Sequence, residues 1–217
     1  MKHAHPARSV SIYLLIVLMM GTTVLGQTRP RTGAGRSTTA VPSIIIRELD
    51  GLANRDRAET PVYSTSASSS STREDREWGM VRVEYDTTPE WLDEVVVEYM
   101  ALSLEPTKDA TKKYTMYKKS VKYMDVKRDR GHLGSVFIRP SGIERYGRLV
   151  AVAVKFSVGG KLVAEFGESK LDKKYDPWWK NPVILESPAV TPREHYMLNR
   201  AESPFAFINM DDYEAIK

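Results

Sequence analysis

From Trp78 onward apolar and polar residues alternate in short runs, and almost nowhere do they recur at the spacing of a helix face. The clearest run, Leu149 to Val158 (LVAVAVKFSV), sets Val150, Val152, Val154, Phe156 and Val158 on one face. Gly159 and Gly160 follow, then KLVAEF with Leu162, Ala164 and Phe166 expected inward. Two glycines between two such runs predict a β-hairpin, because a two-residue turn needs positive φ at its central positions. Earlier runs have the same character. Val81, Val83 and Tyr85 alternate with Arg82 and Glu84. Val95 to Leu104 (VVVEYMALSL) is apolar on both parities, as expected of a central strand covered on two sides, with Val96, Met100, Leu102 and Leu104 sharing a face and Glu98 at the wet end. In Tyr114 to Val126 the period slips near Lys118 and Lys119, which predicts a bulge. Val136 to Arg139 is a short strand that Pro140 to Gly142 punctuates.

After the hairpin, Pro177, Pro182 and Pro188 forbid a central ladder and allow only short edge strands such as Val183 to Glu186. Helical turns are expected only within Thr191 to Asn199 and Asp211 to Lys217. About seven short strands over roughly 140 residues predict an all-β fold, an antiparallel Ig-like β-sandwich, with an open barrel as the alternative. The term is architectural only, because the Cys and Trp pattern of antibody domains is missing. None of the 217 residues is Cys, and a domain of this size buries roughly two thirds of its unfolded surface, so packing suffices without disulfides.

The N-terminal third has a different composition. Lys2 and Arg8 precede an apolar run from Ser11 to Leu25, and the small Gly26 follows it. This is the pattern of a signal peptide, residues 1–26, cut before Gln27. Its 15 residues fall short of the roughly 20 that span a bilayer; retention as an uncleaved anchor is the alternative. No Cys follows Gly26 to be acylated, and no apolar helix follows the cut as it would in a pilin. Export would place the protein in the periplasm, at the outer membrane surface or outside the cell. Residues 27–77 are dominated by Ser, Thr, Arg, Gly and Pro and read as a disordered stalk, most flexible at Ser64 to Thr72. The β-sandwich domain is expected over 78–217. Ile44, Ile45 and Ile46 interrupt the stalk, predicting either a short strand at 43–49 that docks on the domain or a segment that pairs with a partner's sheet edge.

Charge and chemistry narrow the function. The formal charge of +4 falls to +2 once Lys2 and Arg8 leave, and basic and acidic residues are interleaved, which argues against nucleic acid as a partner. Beyond the signal only His132 and His195 remain, both expected to be structural or exposed, and no spaced catalytic motif is present. No enzyme activity, cofactor or metal is expected. Asp211, Asp212 and Glu214 lack the loop spacing of a calcium site, and Gly159 and Gly160 have no following helix to hold a phosphate. Candidate contact residues are Tyr175, Trp178 and Trp179, because an outward Trp beside Pro177 would make a platform for a sugar ring or partner surface, and the isoleucines Ile44, Ile45 and Ile46. Lys118, Lys119, Lys122, Lys127, Arg128 and Arg130 gather positive charge that either steers an acidic partner or keeps a sheet edge soluble.

The export signal ending VLGQ, the Ser/Thr tether, the hairpin LVAVAVKFSVGGKLVAEF and the segment KYDPWWKNPVILE together resemble the secreted Ig-like accessory proteins associated with type IV pilus genes in mucus-dwelling Verrucomicrobia. The resemblance implies a non-enzymatic role in pilus assembly or cell-surface attachment, with protein partners in the pilus or envelope and homo-oligomerisation a further expectation. A carbohydrate-binding module recognising host or envelope glycans is the alternative function, and a small secreted hydrolase the third.

Overall fold

The computed structural model describes residues 43–53, 56–61, 76–88, 90–106, 112–208 and 215–216, all within the unit Thr39–Lys217. The expected signal peptide, the Ser64 to Thr72 tether and the acidic cluster at Asp211, Asp212 and Glu214 lie outside them.

Two sheets form an all-β sandwich. One has the order β1-β3-β6-β10, with β1 Ser43–Asp50, β3 Glu77–Thr88, β6 His132–Ile138 and β10 Met197–Asn199; β2, Arg57–Glu59, pairs with the start of β3. The other has the order β11-β5-β4-β7-β8, with β4 Trp91–Leu104, β5 Tyr114–Lys127, β7 Leu149–Val158, β8 Lys161–Ser169 and β11 Ala215–Ile216. The three-residue β9, Val190–Pro192, runs parallel to β5, so this sheet is mixed where a purely antiparallel one was expected. The excess over seven strands comes from β2, β9, β10 and β11, each of two or three residues and too short to show a period. The sandwich also takes in β1 and β2, upstream of the expected start at Trp78.

Alternation builds the core. Val81, Val83 and Tyr85 of β3 meet Val95, Val97, Tyr99 and Ala101 of β4 and Val152, Val154 and Phe156 of β7, all buried in one cluster. β4 is central, as its apolar character on both parities predicted: Met100 and Leu102 sit in a second buried cluster on the outer face, while Glu98 pairs with Lys155 at the wetter end. Gly159 and Gly160 have φ of 56° and 73° and turn β7 into β8.

Several expectations fail for local reasons. No register shift interrupts β5 on β4 at Lys118 or Lys119. Lys119 holds the core-facing parity, and its ammonium is neutralised by Glu202 at 2.7 Å, so a paired charge mimics a slip. The real distortion is at Asp125, whose φ of 52° lets Val126 turn inward after Tyr123. Val183 to Leu185 belong to a one-turn helix, α2 (Pro182–Leu185), because Asn181 Oδ1 accepts from Val183 N–H and Pro182 occupies the first position. Thr191 to Asn199 contributes β9 and β10 instead of helix. The punctuating Pro140 opens a seven-residue helix, α1 (Pro140–Tyr146).

Tyr117 ties this helix to the second sheet. Its buried hydroxyl accepts from Ser103 Oγ at 3.3 Å and donates to Gly142 O at 3.4 Å. Burial pushes the phenol up to about 12. A folded value above the unfolded one stabilises the protein fully below about pH 10, and that contribution is lost as the pH rises toward 12. Tyr117→Phe is therefore expected to lower stability at neutral pH by about 1 kcal/mol and to flatten the alkaline fall, read as urea midpoints between pH 8 and 11.

Candidate functional site

β1 and β8 are the edge strands on one side of the sandwich, and they lie alongside each other. Among the described residues β1 pairs only with β3 and β8 only with β7. Each therefore presents one row of backbone N–H and C=O groups that no ladder uses, the feature by which sheets recruit another chain.

The sequence of β1 explains its placement. Ile44 and Leu49 are buried and Ile46 packs against the core, with a bulge between Ile46 and Glu48 that keeps both halves inward. The bulge throws Arg47 toward Asp86, where its guanidinium bonds the carboxylate. That hydrogen bond first, with the backbone N–H of Gly131 adding to it, holds the Asp86 carboxyl below its usual range against the opposing effect of desolvation. Ile45 is left on the outer face, 52 % exposed. Of the isoleucine trio, then, Ile44 is core, Ile46 is half-buried core lining, and Ile45 alone offers apolar surface.

β8 departs from expectation. A register shift between Phe156 and Ser157 of β7 turns Leu162 outward, and it is 54 % exposed. Phe166 stands opposite Val154 on the core-facing parity, yet it is 41 % exposed because β8 is the last strand of its sheet. Leu162 and Phe166 were thus expected as core and are edge surface. The signal was there in the prolines after Ser169, which leave β8 no following strand to pair with.

The aromatic candidates lie elsewhere. Lys173–Tyr175 and Trp178–Lys180 form two 3₁₀ turns that close over the outer face of the second sheet. In a 3₁₀ turn neighbouring side chains do not alternate as in a strand, so both indoles reach the sheet. Trp178 is completely buried among Met100, Leu102, Met116, Ala151, Ala153 and Ile184, and its Nε1–H donates to Val152 O at 3.3 Å. The small Ala151 and Ala153 leave it room. Trp179 is half-buried and lies over Gly167, where a Cβ would come within 2.5 Å of its ring. Tyr175 is half-buried beneath the Lys174 ammonium, 4.9 Å from its ring centre. These three residues form a cover for the sheet; they present no flat stacking platform.

Within the lysine-rich stretch Lys119 bonds Glu202, Lys122 pairs with Glu94 at 2.8 Å, and Lys127 sits 6.0 Å over the ring of Trp91. His132 is buried, with Nε2 3.0 Å from Thr87 Oγ1 and 3.1 Å from Lys127 O, and His195 is exposed. Among the described residues no cluster of His, Asp and Glu is arranged to hold a metal, and no helix is long and apolar enough to cross a membrane.

No curated protein matches the chain in sequence. Among solved structures it is similar to a protein of Akkermansia muciniphila known from a crystal structure, with a TM-score of 0.66 and 20 % identity over 81 % of this chain and 94 % of that one. At that identity the likeness is one of fold. A family model matches residues 51–217, and the chain belongs to the family that this model defines.

Proposed function

We propose that the protein is exported and acts without catalysis, as a β-sandwich of the bacterial envelope that serves pilus assembly or adhesion through protein contacts. One observation carries the reading: two strand edges that are unpaired among the described residues, β1 and β8, run side by side with Ile45, Leu162 and Phe166 exposed upon them. Natural sheets usually blunt such edges with lysine, proline or a covering loop. The basic, apolar and small residues at the N-terminus support export, and the resemblance to Ig-like accessory proteins of type IV pili supports the setting. Burial of Trp178 argues against the stacking platform that a carbohydrate-binding module at Tyr175, Trp178 and Trp179 would need.

The test is mass spectrometry of appendages sheared from native cells, compared with periplasm and medium. Enrichment with the appendages and a mature start at Gln27 are expected, and Ile45→Lys combined with Phe166→Lys should reduce that enrichment roughly tenfold without unfolding the protein. Confinement of the parent protein to periplasm or medium would overturn the reading.

A further inference from the structure

The free row of β8 is regular over the second half of the strand. Lys170 N–H donates to Val150 O at 2.7 Å, continuing the ladder in the register that sets Phe166 opposite Val154 and Glu168 opposite Val152. Hydrogen-bonded pairs recur at every second residue of an antiparallel ladder, so the even-numbered residues here bond β7, and Glu165 and Gly167 turn their N–H and C=O groups to the open side. The bulge of β8, at Val163, precedes this stretch. β1 offers no such run, because its bulge falls in the middle of the strand, between Ile46 and Glu48. The usual devices that blunt an edge are missing from β8: Leu162 to Ser169 contains neither lysine nor proline, and the Glu165 carboxylate is bound by Lys180. Phe166, 41 % exposed, stands at the centre of the row.

We propose that β8 pairs antiparallel with β8 of a second copy of this chain, about a two-fold axis at Phe166. This rests on the strand-edge reading above and names the occupant of one of the two edges. The strand's own sequence selects the copy. With the axis at Phe166 the two phenyl rings meet as a non-hydrogen-bonded pair, and each Glu165 exchanges two main-chain hydrogen bonds with the partner's Gly167. Ala164 lies opposite the partner's Glu168, so no carboxylate faces a carboxylate. Lys161 shares the face of Glu168, since they stand opposite Val158 and Val152 of β7. The basic start of each strand therefore runs beside the acidic end of the other. Neighbouring registers fail: an axis at Glu165 sets two carboxylates together, an axis at Gly167 sets each Phe166 against a carboxylate, and a half-step shift opposes side chains of different faces. An unrelated strand would match the main-chain row alone. The ladder is short, so the dimer is a weak one, with a Kd on the order of 100 μM.

Sedimentation equilibrium of the chain from Gln27, between about 10 μM and about 1 mM, is expected to show monomer passing into dimer. Lys161→Glu and Glu168→Lys each bring like charges together and should raise the dissociation constant about threefold. K161E/E168K restores the match and should return to the parent value, a rescue that only self-pairing gives. The register is read by cross-linking, because the chain has no cysteine of its own. Cα atoms of a non-hydrogen-bonded pair stand about 4.5 Å apart, within disulfide range. In an oxidising glutathione buffer Phe166→Cys should therefore form a covalent dimer at least about tenfold faster than Glu168→Cys, whose two thiols would lie out of register. Melting curves check that the variants fold. A monomer at about 1 mM, no rescue in the double variant, or equal cross-linking of the two cysteine variants would overturn the proposal. A monomer still enriched on sheared appendages overturns the dimer alone, and a dimer confined to periplasm or medium overturns the pilus reading alone.

Discussion

Trp178→Ala is expected to cost about 3–5 kcal/mol and to lower the melting temperature by roughly 10 °C or more, although the residue lies in a connecting segment rich in prolines. The indole is fully buried between the outer face of the second sheet and the turns that cover it. Its removal deletes contacts with Met100, Leu102, Met116 and Ile184 and leaves the alanine-lined floor of β7 unfilled. The bond from Nε1 to Val152 O goes too, which leaves a buried carbonyl with one partner fewer. Trp178→Phe keeps most of the packing and should recover about half the loss. Thermal unfolding of the three proteins checks this, and a cost below about 1 kcal/mol for the alanine variant would show that the cover detaches from the sheet without consequence. It follows that lost glycan binding in Trp178→Ala would report unfolding, and that Trp179→Ala, at a half-buried position, is the better probe of any surface role for these aromatics.

The strands that carry the core were legible for two reasons: a face buried on one side imposes period two, as in β3, and a central strand covered on both sides is apolar on both parities, as in β4. What was not legible depends on neighbours that a period cannot report. Leu162 and Phe166 follow the core pattern, yet a register shift turns Leu162 outward, and Phe166 is exposed because among the described residues no strand lies beyond β8. Lys119 breaks the pattern without breaking the strand, because its partner Glu202 arrives from 83 residues away. Trp178 and Trp179 were read as extended chain, where adjacent side chains diverge; a 3₁₀ turn brings both to the sheet. The lysines of β5 stood out as a cluster, but Lys119 and Lys122 are paired with Glu202 and Glu94, acids whose approach a lysine count does not report.

Gly147→Ala is expected to be the most damaging of the glycine substitutions, at about 3 kcal/mol or more. Gly147 ends α1 with φ of 82° and ψ of −169°, a combination that residues with a Cβ scarcely adopt. A Cβ there would also overlap the carbonyl oxygen of Leu104, with Pro106 Cδ 3.2 Å away. The obstacle is backbone, so no rotamer change relieves it. Retreat of Leu104 would pull on the bond from its N–H to Arg148 O and on the neighbouring register shift, between Leu102 and Ser103, where β4 meets β7. Gly159→Ala supplies the contrast. Its φ of 56° is also left-handed, but nothing lies within 4 Å of the added Cβ, so only the conformational cost of about 1 kcal/mol remains. Urea unfolding of both variants separates strain from collision: a clear excess for Gly147→Ala places the cost in the close approach of α1 to the end of β4, whereas equal costs would mean that the two backbones part easily and that this junction does not fix the register of the central strands.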